Sequence, residues 1–210
     1  MPSGQTRREE ITRQRRTAIL EAARGVFARQ GFGQTVVEDI AAQAGIAKGT
    51  LYLYFRSKED IYMAALLEDA RCLNRLIKQR MDAAETWQEK LRAFLDAKLQ
   101  YLEQHTDFIR IFVAEIRSMM VRGVPFNCEV YEAFREGEGQ LAQVFAAATA
   151  RGEIRDIDPE LTATTVCDLT RGILERRLLG WCARDIRVDA EFALDLLCRA
   201  LEVKSSPSAA

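Results

Sequence analysis

"GIAKGTLYLYFRSKED", residues 45–60, admits either a strand or a helix, and the two imply different architectures. Its Leu51-Tyr52-Leu53-Tyr54-Phe55 run is aromatic and high in β propensity, which taken alone suggests a strand. The residues on either side argue otherwise. Gly45 supplies the positive backbone angle of a sharp turn, Ile46 is the apolar plug behind it, and a helix starts naturally at Ala47. Ser57-Lys58-Glu59-Asp60 then offers a capping serine with acids in the first turn of the next helix. A strand here would have no second strand to pair with, so the stretch is predicted to be a short helix between two others.

Upstream, Ile19, Ala22, Ala23, Val26 and Phe27 recur at helical spacing from Thr12 onward, and Gly31 follows as a left-handed cap before Phe32. This predicts a first helix of about 18 residues. Thr35-Val36-Val37-Glu38 fits the capping-box pattern, in which hydroxyl and carboxylate satisfy the orphan amides of a helix start, and a short second helix follows with Ile40, Ala41 and Ala44 inward. Downstream, amphipathic segments run roughly over 57–81, 86–104, 107–121, 126–151, 159–181 and 189–202. They are broken by "RGVP" (122–125), by "RGEIRDIDP" (151–159) with Asp158 as cap and Pro159 at the first helical position, and by "ARDIRVD" (183–189). The expected architecture is all-α, about nine helices, with an N-terminal module over 1–56, a larger helical domain over 57–204 and a disordered tail over 205–210.

Composition agrees with a folded helical chain: 48% of the 210 residues are hydrophobic, 29% are charged, and only four are prolines. The net charge of -1 hides an asymmetry. Residues 7–58 hold ten Lys and Arg against five Asp and Glu, whereas 59–210 hold twenty against twenty-six. A basic N-terminal segment points to a polyanion partner on one side of the molecule, with chance clustering as the competing reading. Five scattered cysteines without a CxxC pair suggest neither a disulfide framework nor a zinc site. The single histidine, His105, has no Cys or His at ligand spacing, so no metal or cofactor is expected. No apolar run approaches the roughly 18 residues that span a bilayer and no signal segment opens the chain, so a cytoplasmic protein without a membrane partner is expected. One histidine, no Gly-rich phosphate loop and no nucleophile elbow leave an enzyme without support.

On a helix that starts at Ala47, Leu51 and Phe55 are four apart and share the face that must pack on its neighbours. Lys48, Thr50, Tyr52 and Tyr54 flank that face, and Gly49 lets a partner approach the backbone closely. Two helices joined by a tight glycine turn, the second bearing basic and hydroxyl groups, describe a helix-turn-helix whose second helix enters the major groove of DNA. The competing reading makes the tyrosines core residues with solvated tips, and the protein a helical interaction module whose basic face is not a specific DNA reader. Steep salt dependence of DNA binding separates the two.

"GFGQTVVEDIAAQAGIAKGTLYLYFRSKEDIY", residues 31–62, resembles the DNA-binding signature of the tetracycline-repressor (TetR/AcrR) family, with a dense match from Thr17 to Tyr62. The resemblance implies a homodimeric, all-helical transcription regulator, usually a repressor. It would have a homeodomain-like three-helix DNA-binding domain and a helical domain for ligand and dimer contacts. By the same resemblance Lys48, Gly49, Thr50, Tyr52 and Tyr54 occupy positions that meet bases or phosphates. Lys58 takes the place of a phosphate-binding lysine, and Thr35 caps the second helix near the DNA backbone. Two departures stand out. Ala47 replaces a usual serine, removing a capping hydroxyl of about 1 kcal/mol, and Val36 replaces a common Ser or Thr. Arg7, Arg8, Arg13, Arg15 and Arg16 form a basic arm that in some relatives touches DNA and is otherwise solvated.

In the larger domain Phe108, Ile111, Phe112 and Met119 cover the apolar arc of one helix, with Glu115 inside it. A buried carboxylate needs a partner, either Arg171 or Arg176, or else a ligand. Phe94, Lys98, Tyr101 and Phe134 are candidates to line an apolar cavity for a small, largely apolar effector, or are ordinary core. The stripes Val166, Leu169, Ile173 and Leu194, Leu197, Leu201 resemble the pair of helices that forms the family's four-helix dimer interface. A twofold dimer sets two recognition helices about 34–36 Å apart on a palindromic operator, and a ligand that favours another spacing weakens DNA binding. The long helix from Ser57 is the expected lever.

Overall fold

The computed structural model describes residues 4–107, 109–111, 113, 114 and 128–203. The first helix, α1, is Gly4–Gln34 and begins eight residues before the pattern at Thr12. Its exposed start is laced by local pairs: Glu10 accepts from Arg13 at 2.8 Å and from Gln14 at 3.0 Å, the i,i+3 and i,i+4 contacts that support a solvated helix. Gly31 breaks α1 with φ 74° and ψ 162°, a conformation open essentially to glycine alone. It is therefore a break rather than the left-handed cap expected there.

After Val36 comes α2, Val37–Gln43, which ends on Ala44. Gly45 (φ 65°) donates to Ala42 O at 3.1 Å and Ile46 donates to Ala41 O at 3.0 Å, which is the Schellman pair of bonds closing a helix on a glycine. The next helix, α3, is Lys48–Leu51. It is shorter than the two turns expected, but its turns tighten onward: Leu53 donates to Thr50 O at 3.2 Å and Tyr54 to Leu51 O at 3.0 Å, carrying the coil to Phe55. Residues 48–55 are thus helical and not a strand.

Ser57 caps α4, Lys58–Asp82, its hydroxyl accepting from the Asp60 amide at 3.1 Å while Asp60 accepts from the Arg56 amide at 2.9 Å. A capping box forms at the head of α5, Trp87–Gln104: Thr86 Oγ1 accepts from Glu89 N at 3.2 Å and Glu89 accepts from Thr86 N at 2.9 Å. The described residues of 106–114 are helical as well. Then follow α6, Cys128–Ala150, α7, Pro159–Leu178, and α8, Ile186–Leu201. Asp158 caps α7 by accepting from Leu161 N, with Pro159 in the first turn as expected, and Asp185 caps α8. The chain is all-α, and among the described residues the nearest thing to a strand is one isolated bridge between Ile154 and Glu202.

Two compact units result. One takes the chain up to Asp69 together with the stretch that begins at His105; the other takes Ala70–Gln104 and the chain from Tyr131 onward. The division expected after residue 56 therefore moves, because the first three turns of α4 cluster with α1–α3. In the first unit α1 packs on α2 and α2 on α3. Its core is Ile19, Ala23, Val26, Phe27, Ile40, Leu51, Phe55, Ile61 and Leu66. In the second unit α5 packs against α7 and α8 around Leu91, Phe94, Leu95, Phe145, Val166 and Leu194. Gly137 of α6 is held to glycine by contact, since a Cβ there would lie 2.8 Å from Asn74 Oδ1, whose amide donates to Ala133 O at 2.5 Å.

Candidate nucleic-acid interface

The recognition turn is anchored on one side and open on the other. Leu51 and Phe55 are essentially fully buried. The Arg16 guanidinium lies 4.5 Å from the Phe55 ring centre and donates to Tyr54 O at 3.4 Å, so a residue of the basic arm clamps the end of the turn. Burying Leu51 and Phe55 stabilises the turn by about 1.5–3 kcal/mol per side chain, which a four-residue helix needs because it cannot persist alone.

Of the expected contact residues, Lys48, Gly49 and Tyr52 are exposed, while Thr50 and Tyr54 are half-buried. Nothing lies within 4 Å of a Cβ placed on Gly49, so the backbone there is open to close approach. Lys48 is engaged: its ammonium is 2.5 Å from Glu38 Oε1 and 5.9 Å from the Tyr52 ring centre. The Lys48 bond, followed by the residue's own backbone N–H, holds the Glu38 carboxyl below its usual range, and the same ion pair pushes the Lys48 ammonium up. A phosphate that takes Lys48 competes with Glu38.

Two of the expected contacts are redirected. Thr35 is buried, with a relative exposure of 1%, and its hydroxyl donates back to Gly31 O at 2.8 Å. It sits two residues before the helix start, Val36 occupies the N-cap without a side-chain bond, and the capping box expected at 35–38 does not form. Lys58 is half-buried; its ammonium donates to Phe32 O at 2.7 Å and Thr35 O at 2.8 Å and lies 4.4 Å from the Phe32 ring centre. The lysine expected on phosphate here satisfies the carbonyls that the Gly31 break leaves open. Leu53, with 82% of its surface exposed, was not among the expected contact residues, and Glu38 was expected only as the carboxylate of a capping box. Helical spacing was the available signal for Leu53, which falls midway between the two anchors.

The effector and dimer candidates divide similarly. In the second unit Phe94 is buried, Lys98 lies with its ammonium 5.4 Å from the Phe94 ring centre, and Tyr101 and Phe134 are half-buried. Burial pushes the Cys167 thiol up, against a hydrogen bond from Lys98 that lowers it. Arg171 is exposed and pairs along its own helix with Asp168 at 2.8 Å and Glu175 at 3.9 Å. Ile111 belongs to the first unit, where it is buried and its carbonyl accepts from the Tyr62 hydroxyl at 3.3 Å. Phe108, Phe112, Glu115 and Met119 lie outside the described residues. An open groove of about 730 Å³ in the second unit, lined by Lys78, Trp87, Lys90, Gln140 and Arg151 among others, holds none of the expected pocket residues.

Among the dimer candidates, Val166, Leu194 and Leu201 are buried in the unit's own core. Leu169, Ile173 and Leu197 are half-buried. The exposed apolar residues of these two helices and their connection are Leu161, Leu179, Trp181, Val188, Phe192 and Leu196. No helix of the described residues is long and apolar enough to cross a membrane, and no group of three or more potential metal ligands occurs among them.

Comparison with known proteins adds to this geometry. The model described as bacterial regulatory proteins, tetR family, matches residues 19–65, and the one described as tetracyclin repressor-like, C-terminal domain, matches 84–175. The fatty acid metabolism regulator protein of Bacillus subtilis is 25% identical over 172 residues, covering 81% of this chain and 85% of that protein. The HTH-type transcriptional repressor KstR2 of Mycolicibacterium smegmatis is 29% identical over 157 residues, covering 74% and 76%. The fold is shared with the fatty acid degradation regulator FadR of Bacillus halodurans, at TM-score 0.76, 22% identity and coverage of 87% and 93%. It is shared too with Bacillus subtilis FadR in complex with stearoyl-CoA, at TM-score 0.74, 23% identity and coverage of 86% and 96%.

Proposed function

Because the chain belongs to the tetR family of bacterial regulatory proteins, and so is a DNA-binding transcriptional regulator and not an enzyme, we propose that it is a repressor of a palindromic operator, released by an apolar effector. The observation that carries this reading is the turn itself: Leu51 and Phe55 fix α3 from behind, while Lys48, Gly49 and Tyr52 are left on the outer side. That is the presentation a major-groove reader requires.

Homodimerisation is supported by the exposed apolar residues of α7, α8 and their connection, with Trp181 (71%) and Phe192 (69%) foremost. Large apolar side chains left exposed favour a protein partner over water. A twofold axis would present two recognition turns to the half-sites of a palindrome. For the effector, a long-chain acyl thioester is the first class to assay. The support is the likeness to regulators of fatty acid metabolism, one of them described with stearoyl-CoA.

The test is selection of duplexes from a randomised pool by the purified protein, with footprinting upstream of its own gene, repeated with stearoyl-CoA. Enrichment of an inverted repeat, released by the thioester, is expected. Weak, sequence-indifferent binding at physiological salt would instead favour an interaction module.

A further inference from the structure

Leu53 is the most exposed large hydrophobic residue among the described residues, at 82%. Its exposure follows from the geometry of the turn. α3 ends at Leu51 and the coil runs on to Phe55, and along it Leu51 and Phe55 are buried at 0% and 1% exposure while Leu53 midway between them is open to solvent. It therefore points away from the anchored seam. Gly49, one turn earlier on the same outer face, has nothing within 4 Å of a Cβ position. Bare backbone beside a projecting isobutyl group makes a step on the surface, where the glycine allows close approach and the leucine enters whatever approaches. Tyr52 at 46% exposure and Lys48 flank the step with an aromatic ring and a charge.

An apolar side chain flanked by an aromatic ring and a single cation fits an apolar feature on a polyanion. In the major groove the only such feature is the C5 methyl of thymine. We propose that Leu53 is a specificity-determining residue that reads a thymine methyl in each half-site of the operator. This rests on the reading of the protein as an operator-binding regulator and adds to it a base preference. Leu53 makes no hydrogen bond to a base and so does not tell the donor and acceptor patterns apart. It recognises a T·A pair against the same pair without its methyl.

The experiment uses the full-length protein and a duplex that it enriches from a randomised pool. Each thymine in turn is replaced by deoxyuridine, which deletes only the methyl group, and affinity is followed by fluorescence anisotropy for the wild type and for Leu53→Ala. For the wild type, one substitution per half-site is expected to weaken binding about threefold to tenfold, the scale of one lost apolar contact. In Leu53→Ala that same substitution is expected to have no effect, the two changes being non-additive. Since Leu53 touches solvent, the variant is expected to melt at the wild-type temperature. Uniform tolerance of deoxyuridine by the wild type, or a penalty that persists unchanged in Leu53→Ala, overturns the assignment while leaving operator binding intact. A pool in which no sequence is enriched overturns the regulator reading, and this one with it.

Discussion

The Lys58 ammonium lies 4.4 Å from the centre of the Phe32 ring and donates to that residue's carbonyl at 2.7 Å. With its second bond, to Thr35 O at 2.8 Å, it ties the start of α4 to the chain that leaves the Gly31 break. Lys58→Met keeps most of the stem and removes the charge, so two carbonyls lose a charge-assisted donor. Urea unfolding is expected to show a loss of about 1–2 kcal/mol. The slope of log affinity for DNA against log salt is expected to stay unchanged, since Lys58 then adds no phosphate contact. A slope shallower by about one would return Lys58 to the phosphate role that the family resemblance implies.

Lys48 behaves differently because its partner is a side chain at the surface. Glu38→Gln removes the carboxylate that holds the ammonium at 2.5 Å and leaves Lys48 free for phosphate. Affinity for the selected duplex is expected to rise at low salt, with a salt slope steeper by about one. Melting temperature is expected to move little, both groups being solvent-exposed. Unchanged affinity and slope across a salt titration would mean that Lys48 stays out of reach of the DNA backbone.

How far the sequence foretold these positions is clearest where one pattern occurs twice. A Thr-x-x-Glu box is written at 35–38 and again at 86–89, and it closes at the second site alone. At the first, the Thr35 hydroxyl turns back to the Gly31 carbonyl, which also accepts from the Thr35 amide at 3.3 Å, and the helix starts one residue later. That competition depends on a backbone break whose full geometry spacing does not reveal. The glycine turn at Gly45, the Asp158-Pro159 start and the Leu51/Phe55 anchor were legible because each depends on neighbours within one helical turn. Periodicity along α7 and α8 marks an apolar stripe without saying what covers it, and the protomer's own core takes Val166, Leu194 and Leu201 from it.

A buried ion pair in the first unit sets a pH dependence. Arg24 Nε lies 2.7 Å from Asp69 Oδ2, with 17% and 3% of their side chains exposed. Burial pushes the Asp69 carboxyl up to about 6, against Arg24 and His105, which lower it, and with Glu68, which raises it. A carboxyl whose folded pKa exceeds its unfolded one binds its proton more tightly when folded, so its stabilising contribution is complete below about pH 4 and is lost as pH rises to about 6. The melting temperature of the wild type relative to Asp69→Asn is therefore expected to fall between pH 4 and 6 and to level off above. A difference that is flat across this window would show that Asp69 ionises normally in the folded chain.

Phe192 and Leu194 are two residues apart on α8, yet one is 69% exposed and the other 8%. This contrast allows dimerisation to be tested without confusing it with folding. Phe192→Asp places a charge where α8 presents an apolar ring to solvent, so the protomer is expected to melt as the wild type does. Sedimentation velocity is expected to show a shift from dimer to monomer, with operator affinity falling at least tenfold as the second half-site contact is lost. Leu194→Ala is expected to do the reverse: a cavity in the second unit lowers stability by about 2–5 kcal/mol, while the association state at low temperature is retained. If instead Phe192→Asp sediments as the wild type does, the exposed residues of α7 and α8 do not form the dimer, and the twofold arrangement that a palindrome requires would have to be built on another surface.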